Sequence, residues 1–100
     1  MSSGNARAFR GSVEGLTATD LDVTHIGFRP TKVKVVNVTS GDEAFWQEGM
    51  ADASAFKRIA AGTGALITTL GITPLANGFR LGQDADLNVI AEVIQFEAWD

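Results

Sequence analysis

Apolar and polar residues alternate with a period of two through most of this chain, and the cleanest instance lies within residues 26–50. Val33, Val35, Val36 and Val38 form a β-branched run suited to a pleated, half-buried surface, and Thr39-Ser40-Gly41-Asp42 supplies turn chemistry at its end. Residues 43–48 then read as the return strand of a hairpin, with Phe45 on one face and Trp46 on the other, so each side has an aromatic group to bury. The rest of the chain reads as cover for this hairpin.

Upstream of it, Ala6, Ala8 and Arg10 alternate with Arg7, Phe9 and Gly11 in a weak strand ending near Val13, which suits a sheet edge. Residues 16–25 hold a second strand, with Leu21, Val23 and His25 facing one way and Asp22 and Thr24 the other. Pro30 fixes its own φ and pushes Arg29 out of the helical region, so 27–31 reads as a corner.

Downstream, residues 50–61 admit a helix capped by Ser54 with Phe56, Ile59 and Ala60 on one face. The competing and favoured reading is an irregular loop of small residues, bounded by Gly49, Gly62 and Gly64. Residues 65–70 are a strand, and 71–74 turn the chain because Pro74 excludes a central strand there. Asn77-Gly78 tolerates the positive φ of a tight turn before a short strand at 79–81. In the closing segment 87–99, Ile90, Ile94, Phe96 and Ala98 are interrupted by Glu92, Gln95 and Glu97. About seven short strands with regular turn signals predict an all-β fold, a small antiparallel β-sandwich or barrel-like domain. Residues 1–10 form an N-terminal arm and 11–100 the single β domain. Gly27-Phe28-Arg29 and Asn37-Val38 recur at the same offset as Gly78-Phe79-Arg80 and Asn88-Val89, but the residues between do not match, so chance or shared turn chemistry is the reading.

Composition narrows the function classes. One hundred residues support one core, and a net charge of -4 argues against nucleic acid as the partner. With no cysteine and His25 alone, neither a disulfide framework nor a thiolate or histidine-rich metal site is available. No segment approaches the roughly 18 consecutive apolar residues of a membrane helix. The first ten residues lack an apolar signal-peptide core, so synthesis and use in the producing cell's cytoplasm are expected and a membrane partner is not.

Candidate chemistry is thin. Asp84, Asp86 and Asn88 are spaced like the first oxygen ligands of a calcium loop. Val89 stands where that loop needs Gly and Gln95 where it needs a closing acid, leaving a solvated polar turn as the reading. His25 lies near Asp20 and Asp22 without any recognisable Ser or Cys nucleophile arrangement. Glu43 with Glu48, and Glu92 with Glu97, read as charges on wet strand faces and not as a glycosidase pair. Gly62-Thr63-Gly64 lacks the Lys, helix and third Gly of a phosphate cradle. No catalytic residue, cofactor or metal ligand is therefore assigned, and the chain is not read as an enzyme. Trp46, Met50, Phe56 and Trp99 are large groups beside Gly/Ala-rich loops, and with Arg7 and Arg10 of the arm they are the interface candidates; for Trp46, burial in the core is an equal alternative. A domain of this size without staples gains stability by self-association, expected here as a cyclic homo-oligomer with a trimer favoured.

The segments GFRPTKVKVVNVTSGDEAFWQEGM, GITPLANGFRLGQDADLNV and the closing EAW, spread over residues 26–99, resemble those of small proteins encoded among the virion genes of tailed bacteriophages and prophages. That resemblance implies a capsid decoration or cement protein: an all-β domain on the capsid surface of the virion, made in the host cytoplasm, bound to the major capsid protein and reaching neighbours through its terminal arm. It offers no catalytic residue. The alternative is a carbohydrate- or receptor-binding module on a fibre or tail, for which Trp46 with Gln47 and Glu48 is the available material. Because the Asp84, Asp86, Asn88 spacing does not complete a calcium loop, adding calcium or a chelator is expected to leave the melting temperature unchanged, since a ligand bound only by the native state raises it. A calcium-dependent shift of several degrees in a thermal melt would contradict this.

Overall fold

The computed structural model describes residues 7–16 and 19–100. Strands β1 (Ala8–Glu14), β2 (Leu21–Val23), β3 (Lys32–Asn37), β4 (Glu43–Gln47), β5 (Ser54–Arg58), β6 (Gly64–Leu75), β7 (Gly78–Leu81) and β8 (Val93–Trp99) account for the regular structure, and no helix occurs among the described residues. They form a single antiparallel sheet in the order β1-β8-β3-β4-β5-β6-β7-β2, curled into a half-barrel. The fold is thus the barrel-like version of the expected all-β domain, with eight strands. Of the segment assigned to the arm, Ala8, Phe9 and Arg10 are the first residues of β1; residues 1–6 lie outside the described residues.

The core lies inside the curl. The predicted β3–β4 hairpin pairs Val33 with Trp46 and Val35 with Ala44, and on its other side β8 sets Ala98 against Val33 and Phe96 against Val35. All six side chains are buried, and filling such positions with Val or Phe stabilises the fold by about 1.5–3 kcal/mol each. The corner at 27–31 is present, with Gly27 at φ 90° and Pro30 fully buried.

Neither reading of residues 50–61 holds, because 54–58 is the strand β5, paired with β4 on one side and β6 on the other. Its alternation is hard to see in sequence. The inward positions carry Ala55 and Lys57, while the large apolar residue, Phe56, points outward.

Pro74 also departs from expectation, since it lies inside β6 opposite Phe79 of β7. It is tolerated because β5 begins only at Ser54, opposite Ile72, so its pairing with β6 does not reach Pro74 and the missing N–H faces no strand on that side. Gly78 is required for space and not for a positive φ, as a Cβ there would sit 1.7 Å from the Val23 carbonyl oxygen at the end of β2, which pairs alongside β7. The closing strand starts only at Val93. Ahead of it, Asp84 folds a turn by accepting the Asp86 N–H on its side chain (2.9 Å) and the Asn88 N–H on its carbonyl (3.0 Å), and Ile90 points into solvent.

The two sheet edges, β1 and β2, do not pair with each other. Side chains and the 82–92 loop close the gap between them. Phe9 meets His25 edge-on at 5.3 Å, and the Arg7 guanidinium lies 4.9 Å over Phe28. Asn88, 1% exposed, accepts the Leu16 N–H at 2.6 Å and donates to the Thr19 and Gly82 carbonyls at 3.0 and 3.1 Å. Asn37, also buried, donates to the Leu87 carbonyl and Glu92 and accepts the N–H groups of Thr39 and Ser40. Because several buried backbone groups depend on Asn88, Asn88→Ala is expected to lower stability by about 2–3 kcal/mol in urea denaturation. A loss under about 1 kcal/mol would mean that water replaces the amide there.

Candidate functional site

The outer face of the sheet carries the only extended combination of exposed apolar and charged groups that the register assembles among the described residues. Register alone aligns Arg10, Glu97, Lys34, Phe45, Phe56 and Leu66 in one row across β1, β8, β3, β4, β5 and β6. Phe45 and Phe56 stack with centroids 5.8 Å apart at 28°, and they remain 36% and 41% exposed; Leu66, next in the row, is 61% exposed. These three follow from strand alternation, because the inward neighbours Ala44, Trp46 and Ala55 occupy the core and leave the other parity to solvent.

Charges flank the apolar centre. The Glu43 carboxylate takes a hydrogen bond from Arg58 at 2.7 Å and has the Lys34 ammonium at 3.8 Å. The Arg58 hydrogen bond, partly opposed by desolvation, holds Glu43 below the usual carboxylate range. At the far end of the row Arg10 pairs with Glu97 at 3.0 Å. A groove of about 440 Å³ runs between Phe45, Phe56, Gln47, Lys32, Lys34 and Arg58, and a neighbouring one of about 560 Å³ lies over β1, β8 and β3. The β5–β6 hairpin extends this face: from 60 to 70 only Ile67 is partly buried. No nucleophile–base pair stands in either groove; the arrangement suits noncovalent contact, with apolar groups central and ion pairs at the rim.

Of the interface candidates, Phe56 and Arg10 fall on this row. Trp46 does not: it is 3% exposed in the core, its indole N–H donated to the Ala51 carbonyl at 3.0 Å. With Trp46 inside, the 46–48 segment offers no aromatic platform for a sugar. Met50 is half-buried against the core, its sulfur accepting the Gln47 N–H at 3.3 Å. Trp99 lies half-buried under the Lys32 ammonium (5.1 Å), and Arg7 pairs with Asp100 at 2.6 Å. Sequence reasoning missed Phe45 and Leu66 as surface groups. The available signal was the same alternation that places Trp46 opposite to Phe45.

The remaining candidates are tied up in packing. Asp84 is buried and not a solvated turn residue: Lys57, reaching from the inner face of β5, lies 2.9 Å from its carboxylate and also pairs with Asp86, while Asn88 turns away toward β7. Burial works against the Lys57 ammonium, but the hydrogen bonds to Asp86 and Asp84 outweigh it and hold Lys57 above the ordinary lysine range. Its contribution to stability is therefore complete below that range and is lost as pH rises through the raised value. His25 packs on Phe9 and Phe96, and Asp22 is held by Arg80 through two bonds of 2.7 and 3.0 Å. The Arg80 hydrogen bond, against a small desolvation cost, keeps Asp22 below the usual carboxylate range.

No protein-family model, curated protein or solved structure matches the chain.

The two aromatic classes separate in a mutational test. Trp46→Ala is expected to cost about 3–5 kcal/mol by leaving a core cavity, whereas Phe56→Ala should cost about 1 kcal/mol through the lost stacking contact. Chemical denaturation of both variants measures this, and equal losses would place Phe56 in the core.

Proposed function

We propose that this chain is a structural protein of a tailed-bacteriophage virion, a decoration protein that docks on the assembled head and stabilises it. The observation that carries the reading is the outward Phe45, Phe56, Leu66 stripe with its Lys34, Glu43 and Arg58 rim, displayed on a braced sheet. A stiff, largely preformed surface loses little conformational entropy on docking, so even a contact of modest area is retained. The likeness of the three sequence segments to virion proteins supplies the partner, the major capsid protein. Stabilisation follows from mass action: a protein that binds the completed lattice better than separate subunits shifts assembly by that difference.

A specific observation also supports the receptor-binding alternative. Phe45 and Phe56 stand exposed beside Gln47, Glu43 and Arg58, the combination of aromatic faces and convergent polar groups that sugars use. Purified protein added to undecorated heads is expected to saturate them and raise the temperature at which DNA is released, and Phe56→Asp should abolish occupancy while the folded domain persists. Failure to bind heads, together with glycan binding that needs Phe45 or Phe56, would transfer the function to a fibre or tail.

A further inference from the structure

Besides its first and last strands, the sheet has an open edge in the first part of β6. β5 pairs with β6 from Gly64 to Ile67, but β7 pairs with β6 only from Ile72 onward, so the segment before the bend has a strand on one side alone. Ile59 donates its N–H to the Thr63 carbonyl, which in that register makes Lys57–Ala65 and Ala55–Ile67 the hydrogen-bonded pairs and turns the backbone groups of Gly64 and Leu66 to the open side. Among the described residues no hydrogen bond reaches them there. Gly82, just after β7, lies beside the Leu70 backbone, and ahead of that point residues 60–66 are all exposed. No charged residue stands between Arg58 and Arg80 and no proline before Pro74, so the side chains that usually blunt an edge are missing from this one.

We propose that this stretch of β6 is a self-recognition edge, at which two copies of the chain pair antiparallel about a two-fold axis through Ala65 and join their sheets. Charge and shape both choose a second copy as the occupant. The chain carries a net charge of -4, so two copies meet with least repulsion where neither bears a charge, and a charged strand from another protein would find no counterpart there. The edge is also self-complementary. With Ala65 on the axis, each Gly64 stands opposite the Leu66 of the second copy, and such a pair exchanges two backbone hydrogen bonds, so the outward N–H and C=O groups of both residues are all satisfied. These two residues share the outer face of the sheet. A Cβ at Gly64 would come 3.0 Å from the Phe56 ring, so the Leu66 side chain of the second copy, set opposite the glycine, packs against that ring and lengthens the apolar row. A register with Leu66 on the axis sets Gly64 opposite Thr68, where the regular pairing of β6 with β5 has already ended. The backbone bonds supply attraction, and the glycine chooses the register. The inference uses the β6 edge and does not need the capsid reading; its test contains no heads, so the two fail separately.

Sedimentation equilibrium of the full chain, with A65E and A65K as variants, tests it. Wild type is expected to dimerise. Ala65 is exposed in one copy and faces its own counterpart across the axis, so either charge meets itself, and each variant should raise the dissociation constant by about tenfold or more. An equimolar mixture of A65E and A65K sets opposite charges face to face and should regain dimer, which also shows that both variants are folded. A charge at any other position of the edge faces a different residue, so this pattern marks the axis. Amide exchange on wild type is the second readout: the Gly64 and Leu66 amides should slow as concentration rises, while Ala65 and Ile67, already bonded to β5, should not change. A monomer at high micromolar concentration, an oligomer indifferent to both variants, a ring of three or more copies, or Gly64 and Leu66 amides that exchange independently of concentration would each overturn the proposal.

Discussion

A sheet that curls only part of the way round leaves a gap between its first and last strands, and here the satisfaction of buried backbone groups across that gap by Asn88 governs the rest. Its carboxamide oxygen takes the N–H just beyond β1, and its amide hydrogens serve carbonyls before β2 and after β7. A buried amide is costly unless its bonds are made, so the side chain holds these segments in one arrangement. Asn37 acts from the opposite side, gripping the 82–92 loop at Leu87 and Glu92, and Lys57 ties the same loop to β5 through Asp84 and Asp86. No buried side-chain nitrogen or oxygen among the described residues is left without a partner. The loop therefore serves as the missing wall of the barrel.

Closure on the inside is what releases the outside. With Phe79, Phe96, Trp46 and Leu81 filling the interior, the outer parity of β3, β4 and β5 has no packing duty, and Phe45 and Phe56 sit there with water on one side. β6 serves both parts of the molecule because it bends sharply between Ile67, opposite Ala55, and Ile72, opposite Ser54. Two glycines permit the bend: a Cβ at Gly71 would strike the Ser54 backbone at 2.6 Å, and one at Gly82 the Leu70 backbone at 2.7 Å. Before the bend β6 is largely solvent-exposed beside β5; after it β6 is core, paired with β7. The outward stripe is thus displayed on strands whose inner sides are anchored, the preorganisation that a docking surface needs.

Much of this was legible in the residues. The Val33, Val35 alternation, the turn at 39–42 and the opposed Phe45 and Trp46 define the β3–β4 hairpin, because period and turn chemistry are local properties. The corner at Pro30 and the edge position of β1 were equally readable. The candidate surface was half visible: Phe56 and Arg10 were singled out, yet Trp46 turned out to be core, since aromatic character alone does not tell which side of a sheet is inside. The faint echo between 27–38 and 78–89 has a physical counterpart, for Phe28 and Phe79 are both core and Asn37 and Asn88 are both buried, hydrogen-bonded amides.

Residues far apart in the chain decided the rest. β5 was hidden because its inward positions hold Ala55 and Lys57, and only the carboxylates at 84 and 86 make a lysine acceptable there. Pro74 is compatible with β6 only because the β5 pairing stops at Ser54, and Gly78 is needed only because the end of β2, paired alongside β7, brings the Val23 carbonyl within contact of it. Asn88 bonds to a residue 72 positions away. The sequence by itself determined the β3–β4 hairpin with its turn at 39–42, the corner at Pro30 and the extended segments at 65–70, 79–81 and 93–99, since these depend on neighbours within a few residues. Strand order, the direction of the curl, and the split of aromatics between core and surface belong to the tertiary structure, because they are set by which distant backbone and side-chain groups must satisfy one another once water is excluded.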